Sequence, residues 1–149
     1  MTPMFTRRHI LAFSALAIAA PSRADAQTPA LQQAMAAFTG GARWQQGRVT
    51  LDIAPLVENG NAVPVMVHVQ SAMTPVDHVR AIALFTERNP QHDVAVFQLG
   101  PHAGKAEVAT RIRLATTQHV WALARMGDDS VWAQRFEVIV TLASCIEGD

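Results

Sequence analysis

Val63, Val65, Val67 and Val69 alternate with Pro64, Met66, His68 and Gln70. Successive side chains of an extended chain point to opposite faces, so a spacing of two gathers all four valines on one side. A helix would scatter them. The stretch is therefore a strand with one buried face and one wet face, and its β-branched residues favour that state. Pro64 has no amide hydrogen to give a ladder, which puts this strand at a sheet edge or the proline near the strand's start. A sheet with one apolar face needs a second layer to cover it.

The same period recurs along the chain. Val49, Leu51 and Ile53 alternate with Thr50 and Asp52, and Arg80 to Thr86 sets Ile82 and Leu84 against Ala81, Ala83 and Phe85. Val94 to Leu99 follows, then Val108, Thr110, Ile112 and Leu114 alternating with Ala109, Arg111 and Arg113. His119 to Arg125 and Val131 to Leu142 complete the set, the last with Val138, Val140 and Leu142 on one face. Turn residues separate them: Glu58-Asn59-Gly60-Asn61, where Asn-Gly is expected to take left-handed positions, then Asn89-Pro90, Gly100-Pro101 with Gly104, and Met126 to Asp129. About seven strands with no helix between them predict an all-β, antiparallel sandwich of immunoglobulin-like architecture. One short helix precedes it. Leu31, Ala34, Met35 and Phe38 share a helical face, Thr28 caps the start, Pro29 takes the first turn and Gly40-Gly41 ends it. A helix this short does not hold alone in water, so it is expected to pack against the edge of the sandwich.

The N-terminus is an address rather than part of the fold. Arg7-Arg8 precedes an apolar run from Ile10 to Ala20, too short to span a bilayer, and Ala24-Asp25-Ala26 offers a small-residue cleavage site. Paired arginines in that place point to twin-arginine export of a folded protein to a bacterial periplasm. The chain thus divides into a signal peptide (1–26), a helix (27–41), a sandwich (42–142) and a C-terminal arm (143–149).

Once Arg7, Arg8, Arg23 and Asp25 leave with the signal, nine Lys and Arg face eleven Asp and Glu. No basic run and no interleaving of aromatic with basic residues exists, which excludes nucleic acid and anionic membranes as partners. The arm holds the single cysteine of the chain, Cys145. A lone cysteine is often a small buried hydrophobe. Beyond the end of a strand it is equally placed to be presented to another molecule, and in an oxidising compartment it must be buried, paired or modified.

Little else carries chemistry. His68 lies on the polar face of a strand, His78, His92 and His102 in or beside turns, and none shares the close spacing of a metal motif. Asp128-Asp129 falls in a turn, where carboxylates are ordinary. Arg111 and Arg113 share one strand face and suit an anion or a partner's carboxylates. There is no phosphate-cradling glycine loop, and the residues require no metal or cofactor. Nothing beside Cys145 builds an oxyanion hole. The chain reads as a binding module and not as an enzyme.

Phe38-Thr39-Gly40-Gly41, Glu58 to Val65, Ala72-Met73-Thr74-Pro75, Arg88-Asn89-Pro90 and Ala106 to Leu114 together resemble SoxY, the carrier subunit of bacterial thiosulfate oxidation. The likeness implies an immunoglobulin-like sandwich that works as a heterodimer with a SoxZ-like subunit. It also implies sulfur intermediates carried covalently on a cysteine near the C-terminus, the position of Cys145, while other Sox enzymes load, hydrolyse and oxidise the cargo. Arg111, Arg113 and a valine-rich edge at Val63 to Val69 are the surface a partner is expected to cover. The arm departs from the family's Gly-Gly-Cys-Gly-Gly: Ala143-Ser144 precedes the cysteine and Ile146-Glu147-Gly148-Asp149 follows it. A stiff Ile146 and added carboxylates make the arm less supple and raise the expected thiol pKa. A SoxY-like scaffold with altered or lost cargo, serving another periplasmic redox enzyme, is the alternative.

Overall fold

Every alternating stretch becomes a strand in the computed structural model, which describes residues 27–142. The strands are β1 (Trp44–Gln45), β2 (Val49–Ile53), β3 (Leu56–Val57), β4 (Val63–Val69), β5 (Val79–Thr86), β6 (Asp93–Gln98), β7 (Glu107–Ile112), β8 (Gln118–Met126) and β9 (Val131–Val140), preceded by helix α1 (Pro29–Thr39). They form two sheets. The larger runs β1-β9-β8-β5-β6, with β3 also on β9, and the smaller runs β2-β4-β7. The result is an immunoglobulin-like sandwich.

The valines of β4 define the space between the sheets. Val63, Val65, Val67 and Val69 are buried with Val49, Leu51 and Ile53 of β2 and Ile112 of β7, facing Ile82, Leu84, Val120, Ala122 and Val138 of the larger sheet. Outward residues of the smaller sheet stay wet, giving β2 and β4 a strict buried–exposed alternation. β5 breaks that alternation, with six consecutive buried residues from Ala81 to Thr86. Its second face is covered by α1: Leu31 and Met35 are buried against Ala83, Phe85, Trp121, Leu123, Val131 and Ala133. A strand buried on both faces reads as a continuous apolar run.

Helix α1 has the ends its residues prescribe. The Thr28 hydroxyl accepts from Leu31 N at 3.3 Å, Pro29 opens the helix, and Gly40 closes it at φ 64°. Its position differs from the expectation of edge packing. The helix lies on the face of the larger sheet, where Leu31 and Met35 bury the apolar side chains of Phe85, Trp121 and Leu123 and the Phe38 ring meets Phe85 edge-on at 6.1 Å.

Four further expectations are corrected. β4 is the central strand of its sheet, paired with β2 on one side and β7 on the other, so no valine edge stands free. Pro64 is tolerated as the second residue of the strand. Pairing is not wholly antiparallel: β1 and β3 run parallel to β9, one at each of its ends. β9 stops at Val140, and Leu142 is 63% exposed and continues no buried face. Finally, the Asn59-Gly60 turn uses no left-handed residue; the Asn59 side chain accepts from Asn61 N at 2.9 Å and closes it instead.

Where the two sheets meet, Gln134 of β9 reaches across, and its Oε1 accepts from Leu51 N of β2 at 2.6 Å. An edge amide of the small sheet is thereby satisfied by a side chain of the large one.

Candidate functional site

The last strand does not simply run out into solvent. Ile139 N donates to Pro55 O at 2.9 Å, Thr141 N to Val57 O at 3.0 Å and Leu142 N to Glu58 O at 3.1 Å. Gly60 N then donates back to Leu142 O at 3.0 Å, so one turn holds Leu142 through both its N–H and its C=O. From the opposite side the Thr117 hydroxyl accepts from Val140 N at 2.9 Å. The chain therefore leaves the domain at a fixed point. Cys145, with the rest of segment 143–149, lies outside the described residues, as does the expected signal peptide, 1–26. The cysteine is the third residue after Leu142 in the sequence, a reach of roughly 10 Å for extended chain.

Three of the stretches that carry the family resemblance meet around that exit. Leu114 N donates to Gly60 O at 2.8 Å, tying the Ala106 to Leu114 stretch to the turn that holds Leu142. The Asn89 side chain donates to Arg113 O at 2.8 Å and accepts from Ala115 N at 3.0 Å. Gln118, 2% exposed, donates through Nε2 to Asn89 Oδ1 at 2.8 Å and to Thr116 O at 3.1 Å, while its Oε1 accepts from Arg88 N at 2.8 Å. A buried amide with its hydrogen bonds made this fully specifies one loop arrangement. Arg88 and Arg113 are exposed at this end of the domain, and neither takes part in an ion pair among the described residues.

One titratable pair lies close by. His119 Nδ1 and Glu87 Oε2 are 2.9 Å apart, with side chains only 18% and 16% exposed. Burial pushes the Glu87 carboxyl up, but the His119 ring and backbone N–H bond its charged form, and with the nearby Arg88 they hold its pKa below the usual glutamate range. Sequence reasoning missed this pair. The partners are 32 residues apart, and only the side-by-side placement of the end of β5 and the start of β8 joins them.

The other candidates stay dispersed. His68 stands 3.8 Å from Glu107 on the wet face of the small sheet, His78 and His92 bond backbone carbonyls of Thr74 and Thr86, and His102 is exposed in its loop. Among the described residues no three of His, Cys, Asp or Glu come together to hold a metal ion. Asp128 is a turn residue: its carboxylate accepts from Ser130 N and Oγ, and those bonds hold its pKa low. Asp129 takes a left-handed φ of 64° and pairs with Arg80 at 2.7 Å. Arg111 is exposed on β7, an outer strand of its sheet, in a shallow groove with Asp52, Pro64, Met66 and Ala109.

Comparison with known proteins agrees with this fold. Solved structures of the same fold include the superoxide reductase (neelaredoxin) of Ignicoccus hospitalis, 17% identical with a TM-score of 0.56, covering 63% of this chain and 80% of that one. The superoxide reductase of Nanoarchaeum equitans gives 13% identity and 0.52, over 61% and 91% of the two chains. A hypothetical protein of Pyrococcus horikoshii gives 16% and 0.51, over 65% and 92%. At such identities the likeness is one of fold. No curated protein matches the sequence. The family model described as sulfur oxidation protein SoxY matches residues 35–145, a span that ends on Cys145.

Proposed function

The chain belongs to the SoxY family of sulfur oxidation proteins, and we propose that it is a periplasmic carrier holding sulfur intermediates covalently on Cys145. One observation carries the reading: the last strand is clamped at Leu142 by the Glu58 to Gly60 turn, three residues before the only thiol of the chain. A carrier needs a fixed root and a short tether, so that the loaded group sweeps a small volume at high effective concentration. The domain is the rigid base and residues 143–149 are the tether. Partner enzymes load, hydrolyse and oxidise the cargo while the carrier turns nothing over itself. Export by the twin-arginine route and pairing with a SoxZ-like subunit belong to the same reading.

The test is mass spectrometry of protein isolated from thiosulfate-grown cells. A thiosulfonate or persulfide adduct confined to the C-terminal peptide supports carriage, and Cys145→Ser should abolish it and thiosulfate-dependent electron transfer while folding stays intact. Consistent absence of any adduct, with electron transfer unaffected by Cys145→Ser, would overturn it. That result would favour the alternative raised by the arm itself, a scaffold that kept the sandwich and exchanged the flexible glycine pairs for Ala143-Ser144 and Ile146-Glu147. Changing those four residues to glycine should raise turnover with standard Sox enzymes if stiffness and charge limit entry.

A further inference from the structure

An asparagine carries within its own covalent structure a reaction that changes the backbone. The nitrogen of the next residue attacks the side-chain amide carbon, a cyclic imide forms and ammonia leaves. Water then opens the imide at either carbonyl, giving aspartate or isoaspartate. The attacking residue must have an N–H, and it reacts best with no Cβ to crowd the approach. The chain has three asparagines, Asn59, Asn61 and Asn89. Asn89 precedes Pro90, whose nitrogen has no proton to lose. Asn61 precedes Ala62, and Asn59 alone is followed by a glycine.

Asn59 is exposed and Gly60 is buried. The Asn59 Oδ1 accepts from Asn61 N at 2.9 Å, which folds the side chain back over its own peptide and turns its amide carbon toward the Gly60 nitrogen. The carbon is thus in place, but the nitrogen is withheld. Gly60 N donates to Leu142 O at 3.0 Å and Gly60 O accepts from Leu114 N at 2.8 Å, so the glycine is tied through both its N–H and its C=O. Attack requires the nitrogen to shed its proton and swing toward the side chain, and the bond to Leu142 prevents both. We propose that Asn59 is a deamidation site kept closed by the Leu142 clamp, reacting only in molecules whose clamp has opened. The Gly60 N to Asn59 Cγ bond forms, the Cγ–Nδ2 bond breaks, and the Gly60 proton departs with the ammonia. Water is the one co-reactant, and nothing is oxidised or reduced. Isoaspartate adds a methylene to the main chain, so the turn no longer presents Gly60 to Leu142 and the hold on the chain exit is lost permanently. None of this depends on what Cys145 carries.

The test ages the full mature chain in neutral buffer and follows the peptide holding Asn59 by mass spectrometry, with isoaspartate separated by chromatography. Folded protein should react slowly and the same chain in concentrated urea quickly, with Asn89 unchanged in both. Leu142→Pro removes the N–H that bonds Glu58 O at 3.1 Å and keeps the carbonyl that holds Gly60. One net hydrogen bond fewer should open the clamp, and so speed deamidation of the folded chain, about fivefold. Leu31→Ala loosens α1 and touches none of these bonds, so it should leave the folded rate unchanged. If Leu142→Pro folds poorly, the unaltered chain decides the matter. In urea below the unfolding transition, amide exchange at Gly60 and deamidation at Asn59 should quicken by the same factor, since both need the same opening. Equal rates in the folded and unfolded chain overturn the proposal. So does Leu31→Ala matching Leu142→Pro, or Gly60 exchange that quickens while deamidation does not.

Discussion

Gln118 is the residue through which the exit of the chain is held most indirectly, and Gln118→Leu is the perturbation that isolates it. The side chain is 2% exposed and makes three hydrogen bonds, to Asn89, Thr116 and Arg88 N. Leucine has nearly the same volume, so no sizeable cavity opens and the loss is polar. Each hydrogen bond contributes about 1 kcal/mol net, and each buried group left without a partner costs about 1–3 kcal/mol. Asn89 Oδ1 keeps Ala115 N as a donor, and the Arg88 amide lies beside an exposed residue where water can serve it. The sum is then about 2–3 kcal/mol, and not the larger figure obtained by treating all three groups as stranded. Urea denaturation of the mature protein should give that loss with an unchanged m-value. A double-mutant cycle with Asn89→Ala should return a coupling of about 1 kcal/mol, since the two amides act as one network. Amide exchange at Leu142 should quicken in step with the destabilisation, because Leu142 leans on Gly60 and Gly60 on Leu114. A loss under about 0.5 kcal/mol, the range of ordinary surface substitutions, would refute the view that this amide network fixes the loops around the exit.

Other expectations follow from single contacts. Leu31→Ala, at a fully buried site between α1 and the larger sheet, should cost about 3 kcal/mol, checked by thermal unfolding of the mature chain. Gly127→Ala would place a methyl group 2.6 Å from the His78 ring; it should destabilise by about 1–2 kcal/mol, and His78→Ala in the same chain should recover part of the loss. The Glu87 carboxyl sits below its ordinary pKa in the folded state, so its contribution is complete above the usual glutamate value near 4.3 and is lost as the pH falls through the folded value. Stability measured against pH should therefore show a shallower acid limb in Glu87→Gln, and an unchanged limb would remove the pair as its cause.

The sandwich was legible because burial writes itself into the period of the sequence. The long strands stand where apolar residues recur at a spacing of two, with apolar residues between them as well in β5 and β8 because α1 covers their second face, and α1 is bounded by Thr28 and Gly40. What stayed hidden depends on neighbours. The alternation of β4 is the same for a central strand as for an edge one, so only its pairing with both β2 and β7 settles the matter. β1 and β3 are too short to show any period. The Asn59-Gly60 pair suggested left-handed backbone, but the Asn59 side chain closed the turn without it. The clamp on Leu142 is a set of backbone bonds and has no side-chain signature at all, while the His119–Glu87 pair joins residues from two different strand ends.

The placement of β9 also has a mechanical consequence. It pairs with β8 along its length, from Arg125↔Val131 to Gln118↔Val138, and with β3 beside its final residues. A tug on the chain beyond Leu142 acts along the strand axis, across the rungs of both ladders. Because those rungs lie roughly perpendicular to the strands, the tug strains many of them together in shear instead of opening them one after another like a zip. A pull along the last strand therefore meets both ladders at once and does not peel it from the domain rung by rung.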